Sequence, residues 1–301
     1  MELLQVRLFG RLAVEGDQQP VEQFESRKVQ ELFTYLLLHP GRAQAREALA
    51  TIFWGDAPTT QARKSLRHAL WQLQGWVERR QLVGPPLLCV EPEWVQLNLS
   101  ERVWVDALAL ERAMSDAERL VGANLTPPLA AALRDAAESC QGDLLEGCYQ
   151  EWCVFERERL QSLFIQLLDK LMAFCAAGGM VESGLGYGDR ILRCDRARER
   201  TYREMMRLAY SGGDRSGALR LYERCVLALR DELGAPPAAD TVRLYAQIRD
   251  DATLGEAPPP EASQLTGLLS QLRAIGSTLA STQLQVQRQI QEIERALQQR
   301  R

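Results

Sequence analysis

The chain has 301 residues, 46% of them hydrophobic and 25% charged, with a formal net charge of −4. A length of this order implies about two or three domains with real cores, and the acidic balance excludes a globally basic nucleic-acid binder. No apolar run approaches the roughly 20 residues that a bilayer requires, and residues 1–12 read as a strand rather than a secretory leader, so the expected location is the cytoplasm.

Residues 5–14 alternate apolar and polar side chains around Gly10 and end in the turn Glu15-Gly16-Asp17, which predicts short antiparallel strands, with another at 20–22. A helix follows over 26–39, halted by Pro40-Gly41. Its Val29, Leu32, Phe33, Leu36 and Leu37 keep the spacing of a core-facing stripe. A second helix is expected over 45–53. A third runs to about residue 80 and starts at Thr59 or Thr60 as N-cap, with Leu66, Ala69, Leu70, Leu73, Trp76 and Val77 as its apolar stripe. Strand-like runs at 87–90 and 94–99, separated by Glu91-Pro92-Glu93, form a hairpin. Strands, three helices and a hairpin make residues 1–105 a winged helix-turn-helix, whose third helix enters the major groove.

Residues 106–252 read as helical throughout. Gly179 and Gly213 lie 34 residues apart, and Leu171/Met205, Phe174/Leu208, Gly184/Ala218 and Ile191/Cys225 share that offset, which is the tetratricopeptide period. The second repeat matches well, whereas the first is degenerate, with Gly184, Gly186 and Gly188 on one helix. Residues 253–262, with Pro258-Pro259-Pro260, are a stiff linker. In the tail, 263–301, Leu265, Leu268, Leu272, Ile275, Leu279 and Val286 follow spacings of three and four. Ile290, Ile293 and Leu297 continue them after a stutter, as in a coiled coil that self-associates. The fold class is therefore mainly α with a small β component.

On the third helix the side opposite Leu66, Leu70 and Leu73 carries Gln61, Lys64, His68, Trp71 and Gln72, flanked by Ser65 and Arg67. Such a set can read base edges or hold phosphates. Between 57 and 80 the basic residues Arg63, Lys64, Arg67, Arg79 and Arg80 face Glu78 alone. A local patch suffices for phosphate contact, because salt confines surface fields to about 10 Å. An ordinary solvated helix face has the same composition, and Arg27 and Lys28 at the start of the first helix fit phosphate contact and plain solvation equally well. No catalytic, cofactor or metal signature accompanies these residues. There is no P-loop, no H-E-x-x-H and no G-x-S-x-G. The seven cysteines lack C-x-x-C spacing and read as packing thiols. Glu156-Arg157-Glu158-Arg159 reads as a salt-bridged helix face, and His39 as a helix cap.

Several stretches together resemble a known family. They are Val6-Arg7-Leu8-Phe9-Gly10, Leu36-Leu37-Leu38-His39-Pro40-Gly41-Arg42, Phe53-Trp54-Gly55-Asp56 and the run from Ala62-Arg63-Lys64-Ser65 to Trp71-Gln72-Leu73. Further along come Gly142-Asp143-Leu144-Leu145-Glu146-Gly147, Trp152, Gly213-Asp214 and Glu232-Leu233-Gly234. Over 3–250 the chain resembles the SARP-type bacterial activators, in which a response-regulator-like winged helix precedes a bacterial transcriptional activator domain. The resemblance implies binding to double-stranded promoter DNA, contact with RNA polymerase, and helical repeats used for dimer formation or effector contact. Family members carry further basic residues where this chain has Gln72 and Gln74. The alternative is an adaptor whose winged helix binds protein. It draws support from the balance of 12 basic against 13 acidic residues over 1–110.

Overall fold

The computed structural model describes residues 4–16, 19–20, 24, 26–79 and 86–251. The linker and coiled-coil readings, Arg80 and residues 21–22 lie outside the described residues.

Two small sheets frame the N-terminal part. Strands β1 (Leu4–Arg7), β2 (Ala13–Gly16), β3 (Gln19–Pro20) and β7 (Val103–Val105) form one sheet in the order β3-β2-β1-β7. The β1–β2 hairpin is antiparallel, as the alternation predicts. The parallel pairing of β1 with β7 was not anticipated, because three residues almost a hundred positions away give no periodic signal. Strands β4 (Gln44–Ala45), β5 (Leu88–Val90) and β6 (Trp94–Leu97) form the second sheet, order β4-β6-β5, and β5–β6 is the expected hairpin.

Helices α1 (Arg27–Leu38), α2 (Arg46–Trp54) and α3 (Thr59–Glu78) lie within a residue or two of their expected bounds. Their stripes form the core, with Leu32, Phe33, Leu36, Leu37, Leu49 and Leu73 fully buried. Phe24, Phe33 and Trp76 pack as an aromatic trio with centroids 4.6–5.3 Å apart. Pro58, not either threonine, is the N-cap of α3, and Thr59 is its first helical residue.

The remaining helices are α4 (Asp106–Asp116), α5 (Pro127–Ser139), α6 (Glu151–Ala177), α7 (Val181–Cys194), α8 (Glu199–Ser211), α9 (Arg215–Leu233) and α10 (Ala239–Arg249), with a 3-10 turn at Gly122–Asn124. The pairs α6/α7 and α8/α9 are the two repeats. Gly179 and Gly213 sit at the equivalent turns with φ of +67° and +84°, a conformation that a Cβ disfavours.

The glycines of α7 correct the view of the first repeat as degenerate. A Cβ at Gly184 would stand 2.3 Å from Leu208 Cδ2, and one at Gly188 would stand 2.5 Å from Met205 Cγ. These glycines let α7 lie directly on α8, as Ala218 (0% exposed) lets α9 pack in the second repeat.

By length and composition α6 could cross a membrane, contrary to the sequence count. One face of it is packed inside the fold. Leu160, Leu167, Leu168 and Leu171 are at most 1% exposed, and Lys170 Nζ donates to the carbonyls of Ala117 and Leu120 at 3.0 and 2.5 Å. The same contact is tight at Gly122, where a Cβ would meet the backbone oxygen of Lys170 at 2.5 Å. Backbone cannot yield as a side chain does, so Gly122→Ala is expected to destabilise the protein by about 1–3 kcal/mol, measured as the change in free energy from denaturant unfolding. An unchanged midpoint would mean that the 3-10 turn is not held there.

Candidate nucleic-acid interface

The winged helix is joined to the helices behind it by groups that come from both. Asp106, the first residue of α4, is fully buried. Its carboxylate accepts from the amides of Leu8 (2.8 and 2.9 Å), Phe9 (3.0 Å) and Ala107 (2.7 Å). Residues 143–146 continue this join. Gly10 N–H donates to Asp143 O at 2.7 Å, while Leu145 and Glu146 donate back to Leu8 and Gly10, each at 2.8 Å. Leu145 holds a positive φ of 49°, unusual for a branched residue. Arg157 secures that segment by donating to the carbonyls of Leu144, Leu145 and Cys148 at 2.9–3.2 Å. The charge run at 156–159 is therefore only partly a salt-bridged face. Arg159 pairs with Glu156 and Glu111, whereas Arg157 ties down backbone.

An aromatic cluster completes the join. Trp152 of α6 meets Tyr35 of α1 and Phe53 of α2 edge-on, with centroids 5.4 and 5.9 Å away. His39, the C-cap residue of α1, points Nδ1 at the Tyr35 carbonyl (2.8 Å) and Nε2 toward Glu156 (3.9 Å). Helices α4 and α6 and the segment between α5 and α6 thus engage α1, α2 and the residues that follow β1.

The outward side of α3 is left open. Gln61, Arg63, Lys64, Arg67, His68 and Trp71 are exposed, and Ser65 and Gln72 are half-buried. Trp71 is 69% exposed, the largest hydrophobic side chain so placed on this helix. The His68 ring stacks beside it at 5.9 Å and 21°, which fixes the direction of both. No acidic residue occurs on α3 before Glu78.

The structure separates the other basic residues from this set. Arg63 forms an ion pair with Glu47 of α2, so part of its charge is already answered within the helix-turn-helix. Arg27 pairs with Glu31 at 3.1 Å and donates to the Gly147 carbonyl, and Lys28 lies 3.2 Å from the same Glu31. Arg27 thus stands at the join with the segment that precedes α6. Arg46, which the sequence did not single out, donates to the Glu91 carbonyl at 3.1 Å, and its amide bonds to Glu93 O at 2.9 Å. It fixes the tip of the β5–β6 hairpin against the start of α2. Nothing in the local sequence signals that role, since the partner atoms are backbone.

Residues 105–249 match the bacterial transcriptional activator domain family. This match covers just under half of the chain, and with the relative described next it supports kinship with the SARP-type bacterial activators. It is 23% identical over 268 residues to the regulatory protein AfsR of Streptomyces griseus, covering 84% of this chain and 27% of that protein. The chain therefore spans little more than a quarter of that relative's length. Its fold is similar to that of Mycobacterium tuberculosis EmbR, solved in complex with a low affinity phosphopeptide. The TM-score is 0.65 at 18% identity, over 92% of this chain and 72% of the other. The matched region begins at the end of β7, and Asp106 bonds it to the residues that follow β1.

Proposed function

We propose that this chain is a cytoplasmic, sequence-specific DNA-binding regulator, an activator of transcription rather than an enzyme, that sets α3 in the major groove of promoter DNA. The observation that carries this reading is the outward face of α3, where Lys64, Arg67, His68 and Trp71 are exposed together on a helix free of acids up to Glu78. A side chain like Trp71, held by a stacked histidine and surrounded by cations, suits a groove wall with phosphates on either side. The β5–β6 hairpin is the wing, braced by Arg46. RNA polymerase is the partner through which an activator acts. The test is selection of bound duplexes from a random pool, which should enrich a defined sequence. A pool that stays random would contradict the reading and favour the adaptor role.

In the same proposal the tail brings two or more copies together. A face with few basic residues gains affinity when linked to a second, because the second contact forms at high effective concentration. Deleting 263–301 is expected to weaken binding to the selected duplex by about 100-fold or more, measured by gel shift. Full affinity in the shortened protein would assign the tail another task.

A further inference from the structure

Between α7 and α9, the second helices of consecutive repeats, lies a groove of about 430 Å³ that has no part in the DNA reading. Its walls carry three guanidinium groups, those of Arg193, Arg196 and Arg224, against one carboxylate, Asp189. This concentration of positive charge occurs in a protein whose net charge is −4. Its floor is apolar. Leu192 and Ala228 are buried, and Leu227 reaches into the opening with 47% of its surface exposed. Tyr202 closes the bottom, its hydroxyl donating to the Arg196 carbonyl at 3.3 Å.

The arginines are only weakly committed. Arg224 pairs with Asp189 at 3.1 Å and Arg196 with Glu232 at 3.5 Å. In both pairs each side chain is roughly half exposed, and solvent-exposed pairs of this kind are worth about 0–1 kcal/mol. Arg193 makes no ion pair among the described residues. An incoming carboxylate can replace the resident acids at little cost, and a guanidinium fork binds it through two parallel hydrogen bonds.

We propose that this groove binds an acidic peptide segment of a partner protein, with carboxylates on Arg193 and Arg224 and an apolar side chain against Leu227. The charge on the walls selects the acids, and the exposed leucine selects what lies between them. Duplex DNA fits less well. A rod some 20 Å across cannot enter a volume of this size, and the rim acids Asp189 and Glu232 would face its phosphates.

The probe is a fluorescein-labelled peptide of alternating Glu and Leu, titrated with the full chain and followed by anisotropy. Binding that weakens with salt is expected. Arg193→Ala with Arg224→Ala should reduce affinity at least about tenfold, as should Leu227→Ser, and a Gln-for-Glu peptide should bind poorly. Circular dichroism of these variants should match the parent, because Arg193, Arg224 and Leu227 are all exposed. Absence of binding, or equal binding by the arginine variant, overturns the proposal. Displacement of the peptide by glutarate at equal concentration would make this a small-carboxylate site and also overturn it. So would a duplex whose binding is lost with the same two arginines. The titration uses no DNA, so its failure leaves the reading of α3 untouched.

Discussion

Replacing Lys64 and Arg67 together with alanine is expected to weaken binding to the selected duplex by about 100-fold at moderate salt, taking each contact near 1.4 kcal/mol, within the 1–3 kcal/mol range for such residues. The logarithm of affinity should also fall less steeply with salt, by nearly one unit of slope for each phosphate contact removed. Both side chains are exposed and neither makes an ion pair among the described residues, so folding should be unchanged. Arg63→Ala should cost less, because its guanidinium already answers Glu47. Trp71→Ala should act differently again. It removes no charge, so the salt slope should hold while discrimination between duplexes falls. Equal affinity of the double variant and the parent in a gel shift would mean that α3 is not the contact surface.

The second large effect concerns stability. Asp106→Ala would strip the shared acceptor from the amides of Leu8, Phe9 and Ala107 inside a fully buried site. Leaving buried donors unanswered is expensive, and a loss of about 3–5 kcal/mol is expected, or a fall in Tm of roughly 10 °C for a protein of this size. Burial pushes the Asp106 carboxyl above the ordinary carboxylate value, while the three amides pull it back. The folded state therefore holds this proton more tightly than the unfolded chain. The stabilisation from that shift is fully present below the unfolded pKa, about 3.9, and is lost as pH rises through the folded value. The gap between parent and variant should accordingly be widest in acid. A variant within 1 kcal/mol of the parent would show that water reaches these amides.

The two predictions differ in how far the sequence alone could reach them. The face of α3 was legible because helical periodicity is local: once Leu66, Leu70 and Leu73 are set inward, Lys64, His68 and Trp71 must point out. The repeats were legible through their 34-residue offset. The join between the winged helix and the helices behind it was not. In the sequence Asp106 has no role beyond opening the helical stretch, yet two of its three partners lie 97 and 98 residues away, and all are backbone amides. Arg157 looked like one member of a charge run, and its partners are carbonyls. Contacts from side chain to distant backbone leave no mark on the partner's residue type, so no pattern records them. Gly184 and Gly188 misled in the other direction. Helix propensity counts glycine as a defect, whereas close packing of α7 on α8 requires it.

This join matters to function, because it determines which face remains free. Trp152, Glu156 and residues 143–147 engage α1 and its C-cap, α2 and the residues that follow β1, and the outward side of α3 stays exposed. A rigid mount of this kind would present the reading helix in one orientation to DNA while the repeats engage other proteins.

The central claim is that this free side enters a major groove, and methylation protection on the selected duplex tests it directly. Guanine N7 lies in the major groove and adenine N3 in the minor groove. The account predicts that the bound protein shields guanine N7 within the enriched sequence, and that shielding is lost with Lys64→Ala and Arg67→Ala. Unchanged guanine reactivity on a fully bound duplex, or shielding confined to adenine N3, would contradict it.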